Sequence, residues 1–128
     1  MDIDHFKQYN DDFGHAAGDV CIAVVGTVMN QVLREGVDVV ARLGGEEFGA
    51  MLPSLDRAGL LGVAERIRVQ VAAVGRASPS PLHREVTVSI GASHCLPAAG
   101  SAAATLFEQA DQALYTAKRS GRDRVCEA

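Results

Sequence analysis

An α+β fold, in which helices interleave with a central, mostly antiparallel sheet, is predicted by the apolar pattern of this 128-residue sequence. Several segments repeat apolar residues at intervals of three and four, which is the period of an amphipathic helix. Residues 86–92 alternate apolar residues with polar residues or glycine, as a strand with one buried face does. Residues 39–52 predict two strands that reverse at a Gly-Gly pair.

The first third of the chain predicts two helices. A short helix spans residues 5–12, and residues 14–19 form a turn that leads into a longer helix running to about Arg34. The longer helix is indicated by apolar residues at helical spacing, namely Cys21, Val24, Val25, Val28 and Val32. Gly36 is well placed to end it.

The middle third predicts a β-hairpin and a third helix. Strands at 39–43 and 47–52 flank the glycine pair, and Asp56 can cap a helix that ends near Gly75. The apolar stripe of this helix consists of Leu60, Val63, Ala64, Ile67, Val71 and Val74. Residues 76–84 contain two prolines and predict an exposed loop.

The last third predicts one more helix and one more strand. A polar loop of small residues follows the strand at 86–92. The helix is indicated by Leu106, Ala110, Ala113 and Ala117, and Gly121 closes it. A short strand around 124–126 completes the sheet.

Length and composition predict a single domain over residues 1–128, large enough for one core. No apolar run approaches the roughly 20 residues that span a bilayer, and the N-terminus lacks the features of a signal peptide. We therefore expect a cytoplasmic domain without membrane contact. The formal net charge of −4 argues against nucleic acid as a partner.

Cysteine and histidine patterns leave carboxylates as the predicted metal ligands. The three cysteines show no C-x-x-C spacing, so we expect small core residues rather than disulfides or a zinc site. The four histidines also lack a ligand spacing.

Gly44-Gly45-Glu46-Glu47-Phe48 is the most informative motif. Glycines allow a ligand to approach the backbone, and adjacent carboxylates suit a divalent cation that carries a nucleotide triphosphate. An ordinary hairpin turn with solvated acids is the alternative.

Asp2 and Asp4 lie where a strand ends and a helix begins. If Asp2 converges with Glu46 or Glu47, the carboxylates form the acidic group that metal-dependent phosphoryl transfer requires. For Asp4 the sequence favours a role as the N-cap of the following helix.

Basic and amide residues provide further candidates. Lys118 and Arg122 are four residues apart at the end of the last helix and can clamp phosphates, or simply offset the helix dipole. Lys7 is a third cation, near the acidic pair. Asn10 and Asp19 can form hydrogen bonds with the edge of a nucleobase, although turn and cap roles are the alternative.

These segments together resemble the GGDEF family of diguanylate cyclases in its Gly-Gly-Glu-Glu-Phe variant. The resemblance covers nearly the whole chain. Its motifs are residues 2–7, Asn10-Asp11, Gly14-His15 with Gly18-Asp19, residues 41–48, residues 64–67, residues 87–91, residues 110–111 with 113–115, residues 117–118 and residues 121–122.

The resemblance implies a palm-like nucleotidyl-cyclase fold that condenses two GTP into cyclic di-GMP and releases pyrophosphate, as a homodimer in which each domain contributes one GTP. It implies that Asp2, the Ile3 carbonyl, Glu46 and Glu47 hold Mg²⁺ or Mn²⁺, and that Glu46 deprotonates the attacking hydroxyl. The implied substrate contacts are guanine recognition by Asn10 and Asp19, charge neutralisation by Lys7, Lys118 and Arg122, and phosphate contacts from the backbone of His5, Phe6, Gly44 and Gly45.

One departure from the family concerns feedback. The product-inhibition site of the family uses Arg-x-x-Asp before the signature, and here Glu35 takes the arginine position while Asp38 keeps the aspartate. Arg34 lies one residue too early, a rotation of about 100° on a helix. We expect weak or no feedback inhibition through this site.

A second departure is that the family's opening helix and most of its first strand do not occur in this sequence. The chain is thus expected to be N-terminally incomplete, with a sensor or receiver domain upstream in the parent protein. The alternatives to an enzyme are a GTP-binding or regulatory dimerisation module without turnover, or an inactive fragment.

Overall fold

The computed structural model describes residues 1–96 and 103–128 as four helices and five strands. In chain order they are β1 (Asp2–Ile3), α1 (Phe6–Phe13), α2 (His15–Val32), β2 (Val39–Gly44), β3 (Glu47–Met51), α3 (Arg57–Arg76), β4 (Val88–Ala92), α4 (Ala103–Arg119) and β5 (Val125–Glu127). The predicted α+β class is confirmed. Part of the loop predicted after β4, at 97–102, lies outside the described residues.

The five strands form one sheet in the order β2-β3-β1-β4-β5. All neighbours are antiparallel except β4 and β5. The shortest strand, β1, is the central one: Asp2 pairs with Glu47 on one side and with Ser89 on the other. Two residues therefore suffice to join the hairpin to the rest of the sheet.

The β2–β3 hairpin forms at the predicted glycine pair. Gly45 has a φ of 50°, a conformation that glycine adopts without the steric cost of a Cβ. The Arg42 guanidinium donates to the Gly45 carbonyl at 2.8 Å and braces the reversal. The register shifts between Arg42 and Gly44, which places a bulge beside the tip of the hairpin.

Helices cover the two faces of the sheet. On one face, α2 and α3 pack over the strands, and Val25 and Val71 of these helices lie fully buried beside Val88 of β4. On the other face, α4 packs so closely on β4 that a Cβ added to Gly91 would lie 2.0 Å from the Ala110 carbonyl oxygen. This contact fixes α4 over β4, beside the central strand β1.

Element boundaries differ from the sequence prediction mainly at α2. The turn expected over residues 14–19 is wrong beyond Gly14, because α2 already begins at His15. Gly14 has a φ of 85° and donates its N–H to the Asn10 carbonyl, so one residue makes the break between helices. The Asp56 cap is confirmed: its carboxylate accepts the Gly59 N–H at 2.7 Å.

The prediction that all three cysteines are core residues is wrong for Cys95, which is exposed, while Cys126 is half-buried and Cys21 is buried. Burial raises the pKa of the Cys21 thiol to about 11. Within the described part of the chain, no helix has the length and apolar character needed to cross a membrane.

Candidate active site

Strands β1 and β3, with the turn that precedes β3, bring the acidic residues of the site together. Asp2 of β1 lies directly opposite Glu47 of β3, and cross-strand partners point to the same face of a sheet. Glu46 lies at the hairpin tip, where its backbone carbonyl accepts the Ile3 N–H at 3.4 Å. The predicted convergence of Asp2 with the hairpin is therefore present.

Lys118 provides the cation that faces this acidic group. Its ammonium lies 2.8 Å from a carboxylate oxygen of Asp2. Burial raises the pKa of Asp2, and the Glu46 and Glu47 carboxylates act in the same direction, whereas the Lys118 contact lowers it. Negative charge thus gathers at one point of the sheet and attracts a cation there.

The donor set suits a hard divalent cation that also binds a nucleotide. Carboxylate and carbonyl oxygens are ligands that Mg²⁺ accepts, and the Lys118 ammonium already holds a positive charge against Asp2. Among the described residues, no three or more His, Cys, Asp or Glu side chains lie close enough together to hold a metal ion. Phosphate oxygens of a substrate would have to complete the shell, as is usual for Mg²⁺ at phosphoryl-transfer sites.

The glycines of the hairpin tip face open space. A Cβ added to Gly44 or Gly45 would meet no atom within 4 Å. The backbone of the tip is therefore accessible to a ligand beside the acidic residues.

Asn10 and Asp19 are brought near one another by the α1–α2 packing. Gly18, the neighbour of Asp19 in α2, lies under the Asn10 side chain: a Cβ at Gly18 would be 1.8 Å from the Asn10 Oδ1. That oxygen is buried without a hydrogen-bond partner in the described structure. Most buried amide oxygens in proteins accept a hydrogen bond, so this one calls for a donor that the described residues do not supply.

The start of α1 carries the next predicted residues. His5 takes a left-handed conformation with a φ of 56° just before the helix, while Phe6 is buried in the core. Lys7 is exposed on the same helix. Their predicted contacts with phosphate remain predictions.

Arg122 is not placed as the helical spacing suggested. The helix α4 ends at Arg119, so Lys118 is in its last turn and Arg122 lies in the turn before β5 with a φ of 60°. The Arg122 N–H donates to the Ala117 carbonyl at 3.1 Å, which folds the turn back on the helix.

The predicted N-cap role of Asp4 is wrong. His5 occupies the N-cap position of α1 and no side chain caps it. Asp4 is buried instead and accepts hydrogen bonds from Thr87, Ser89 and the backbone N–H of Asp123. The sequence gives little signal for this role, because the partners are more than 80 residues away.

Asp38, the remaining aspartate of the predicted inhibitory site, is paired with Arg34. The guanidinium lies 2.6 Å from the carboxylate and also donates to the Pro53 carbonyl at 2.7 Å. This contact lowers the pKa of Asp38. Glu35 is exposed and supplies no positive charge.

The five-stranded sheet, the acidic hairpin tip and the facing lysine define a mixed α+β domain with an acidic site on its sheet. Residues 1–124 match the family model described as "Diguanylate cyclase, GGDEF domain". The chain belongs to the GGDEF domain family.

Curated relatives support this assignment. The chain is 40% identical over 128 residues to diguanylate cyclase DgcP of Pseudomonas aeruginosa. The aligned region covers 98% of the chain and 18% of that protein. The chain is also 42% identical over 128 residues to diguanylate cyclase DgcM of Escherichia coli K12. That aligned region covers 100% of the chain and 30% of the relative. The chain thus spans less than a third of either relative.

Solved structures agree with the fold. The GGDEF domain of DgcB from Caulobacter crescentus, in complex with c-di-GMP, matches with a TM-score of 0.86 and 38% identity over 98% of the chain and 73% of that structure. The active GGEEF domain of a diguanylate cyclase from Vibrio cholerae matches with a TM-score of 0.86 and 32% identity over 98% of the chain and 78% of that structure. The predicted fold class, a mixed α+β domain with helices flanking one sheet, is confirmed.

Proposed function

We propose that this domain is the catalytic unit of a diguanylate cyclase that condenses two GTP into cyclic di-GMP. The observation that carries the proposal is the meeting of Asp2, Glu47 and Lys118 on one face of the sheet, next to an open glycine tip. The names of the relatives support the same reaction.

In this reaction the 3′-hydroxyl of each GTP attacks the α-phosphorus of the other, and pyrophosphate leaves. Two phosphodiester bonds form and two phosphoanhydride bonds break. Phosphoryl transfer depends mainly on positioning and charge stabilisation, which is what an acidic and basic cluster on rigid elements supplies. Glu46 accepts the proton of the attacking hydroxyl.

Asp2, Glu46, Glu47 and the Ile3 carbonyl would hold Mg²⁺ or Mn²⁺. When bound, the cation offsets the charge on the phosphates and makes the hydroxyl easier to deprotonate. Lys118, Lys7 and Arg122 neutralise the triphosphate, while the backbone at His5, Phe6, Gly44 and Gly45 contacts it.

Guanine recognition is assigned to Asn10 and Asp19. The Asn10 amide oxygen, which has no partner among the described residues, can accept an N–H of the base once the amide turns away from α2, and the exposed Asp19 carboxylate can accept others. Adenine presents a different set of donors and acceptors, so this pair would favour GTP over ATP.

A symmetric product favours a two-fold dimer. Cyclic di-GMP has two equivalent halves, and two domains that face each other across a two-fold axis can each present one GTP to the other. The rate per domain is then expected to rise with protein concentration until the dimer is saturated.

The test is synthesis of cyclic di-GMP from GTP and Mg²⁺, followed by chromatography. The chain is assayed over a range of concentrations, alone and joined at its N-terminus to a parallel two-stranded coiled coil, which raises the local concentration of the second domain. Glu46→Ala is expected to abolish product. Glu108→Ala, an exposed glutamate on α4, is the matched control and is expected to leave the rate unchanged.

The outcomes separate the two functional classes. Product that requires Glu46 and increases with dimerisation supports the cyclase. A folded, dimerised chain that binds GTP but forms no product supports a nucleotide-binding or regulatory module in its place.

A further inference from the structure

Asp4 is a buried carboxylate that the proposed mechanism does not use. Only 7% of the residue is exposed. Its Oδ1 accepts the Ser89 hydroxyl at 2.7 Å, and its Oδ2 accepts the Thr87 hydroxyl at 2.8 Å and the Asp123 backbone N–H at 3.0 Å. An ionised aspartate is a pure acceptor and matches three donors.

The third of these bonds reaches the turn that carries Arg122. This turn contains two consecutive non-glycine residues in the left-handed region, Arg122 with a φ of 60° and Asp123 with a φ of 44°. Such conformations are strained and persist only where surrounding contacts hold them. The bond from Asp123 to Asp4 is one such contact.

Other bonds tie the turn to helices on both faces of the sheet. The Arg122 N–H binds the Ala117 carbonyl of α4, and the Asp123 carboxylate pairs with Arg68 of α3 at 2.6 Å. Neither reaches the strand that carries Asp2. Asp4 follows β1 directly, so its bond to Asp123 links the acidic strand to the basic turn.

We propose that Asp4 is a positioning residue that holds Arg122 in place for the triphosphate of the substrate. The role rests on the proposed function, since it assigns Arg122 to that substrate. Asp4 itself touches no reacting atom. Its carboxylate fixes how far the Arg122 turn lies from Asp2, and thus the spacing between metal ligands and phosphate-binding cation.

The alternative is that Asp4 only stabilises the fold. Ser89→Ala is the matched control for that case, because it removes a buried hydrogen bond from the same carboxylate but leaves the bond to Asp123. Asp4→Asn is the conservative variant. Its single carbonyl oxygen can take the place of Oδ2, while its NH₂ faces the Ser89 hydroxyl, which can turn to accept.

The experiment measures the affinities of the chain for GTP and for GMP by calorimetry with Mg²⁺ present. Asp4→Ala is expected to weaken GTP binding roughly tenfold, the size of one charge-assisted contact, and to leave GMP binding nearly unchanged. Asp4→Asn is expected to restore most of the GTP affinity. Ser89→Ala is expected to bind GTP with the affinity of the wild type.

A double-mutant cycle with Arg122→Ala tests whether Asp4 acts through Arg122. The two substitutions are expected to be non-additive, so that Asp4→Ala has little further effect once Arg122 is gone. Hydrogen exchange of residues 121–124 is expected to speed up in Asp4→Ala and to stay slow in Ser89→Ala.

Additive effects, equal loss of GTP and GMP affinity, or faster exchange without a change in GTP affinity would each overturn the proposal. Because these measurements do not depend on turnover, they are independent of the cyclase assay. A chain that binds GTP in the expected pattern but forms no cyclic di-GMP would overturn the proposed function and leave the role of Asp4 standing. A wild-type chain that binds GTP no more tightly than GMP would overturn the role of Asp4.

Discussion

At the scale of single residues, the contact between Lys118 and Asp2 shows how one side chain can serve two states of the site. Without ligand the ammonium neutralises a buried carboxylate at 2.8 Å. In the proposed complex the same ammonium turns to the triphosphate. A site that already holds a counter-charge avoids the cost of leaving Asp2 buried and unpaired.

Replacing this cation tests its assignment to the triphosphate. Lys118→Met keeps most of the side-chain volume but removes the charge, and GTP affinity is expected to fall about tenfold while GMP affinity changes less. Arg119→Met is the matched control, because Arg119 is the next residue of α4 and its guanidinium lies over the Tyr115 ring instead. Equal losses in the two variants would indicate a general charge effect.

Gly18 gives a second test at this scale, directed at guanine. In Gly18→Ala the new methyl group would lie 1.8 Å from the Asn10 Oδ1, so the amide must move. The ratio of GTP to ATP affinity is expected to fall roughly tenfold, the size of one good hydrogen bond at a buried site. The ratio, measured by competition binding, separates this effect from lost stability, and an unchanged ratio would remove Asn10 from base recognition.

At the scale of elements, two glycines in different environments give opposite predictions for stability. Gly91→Ala would drive a methyl group into the backbone of α4, 2.0 Å from the Ala110 carbonyl and 2.2 Å from the Leu114 nitrogen. A clash with backbone cannot be relieved by a rotamer change, so we expect the free energy of unfolding to fall by about 3 kcal/mol.

Gly62→Ala is the counterpart within α3. An added Cβ there meets nothing within 4 Å, and alanine loses less backbone entropy than glycine in a helix. The free energy of unfolding is expected to rise by about 1 kcal/mol. Urea titrations of the three proteins check both predictions, and a stable Gly91→Ala protein would mean that α4 can move away from β4.

The elements also show what sequence could predict. The helices, the hairpin and the Asp56 cap follow from local signals: apolar spacing, a glycine pair and a capping residue. The role of Asp4 did not follow, because a buried acceptor is recognised only from distant donors. The position of Arg122 does not follow either, because its four-residue spacing from Lys118 predicts a shared helix face, whereas the helix ends at Arg119.

At the scale of the whole molecule, the Arg34–Asp38 pair bears on regulation. The Arg34 guanidinium is already engaged by Asp38 and by the Pro53 carbonyl, and Glu35 adds a negative charge. If the domain is a cyclase, added cyclic di-GMP is expected to leave the initial rate nearly unchanged. Glu35→Arg restores the Arg-x-x-Asp spacing and is expected to introduce inhibition.

The measurement is the initial rate of pyrophosphate release at increasing cyclic di-GMP, for the wild type and Glu35→Arg. Strong inhibition of the wild type that Asp38→Ala abolishes would show that Arg34 substitutes for the missing arginine. Inhibition that persists in Asp38→Ala would point to a different surface.

The central position of β1 also has a consequence for synthesis on the ribosome. Asp2 needs Glu47 on one side and Ser89 on the other, so this segment leaves the ribosome long before both partners exist. The β2–β3 hairpin can form locally in the meantime, whereas the sheet closes only after β4 has emerged, because long-range pairing must await both strands. The strand that completes the acidic site is therefore translated before both of its partners, and it can take its place in the sheet only after β4 has emerged.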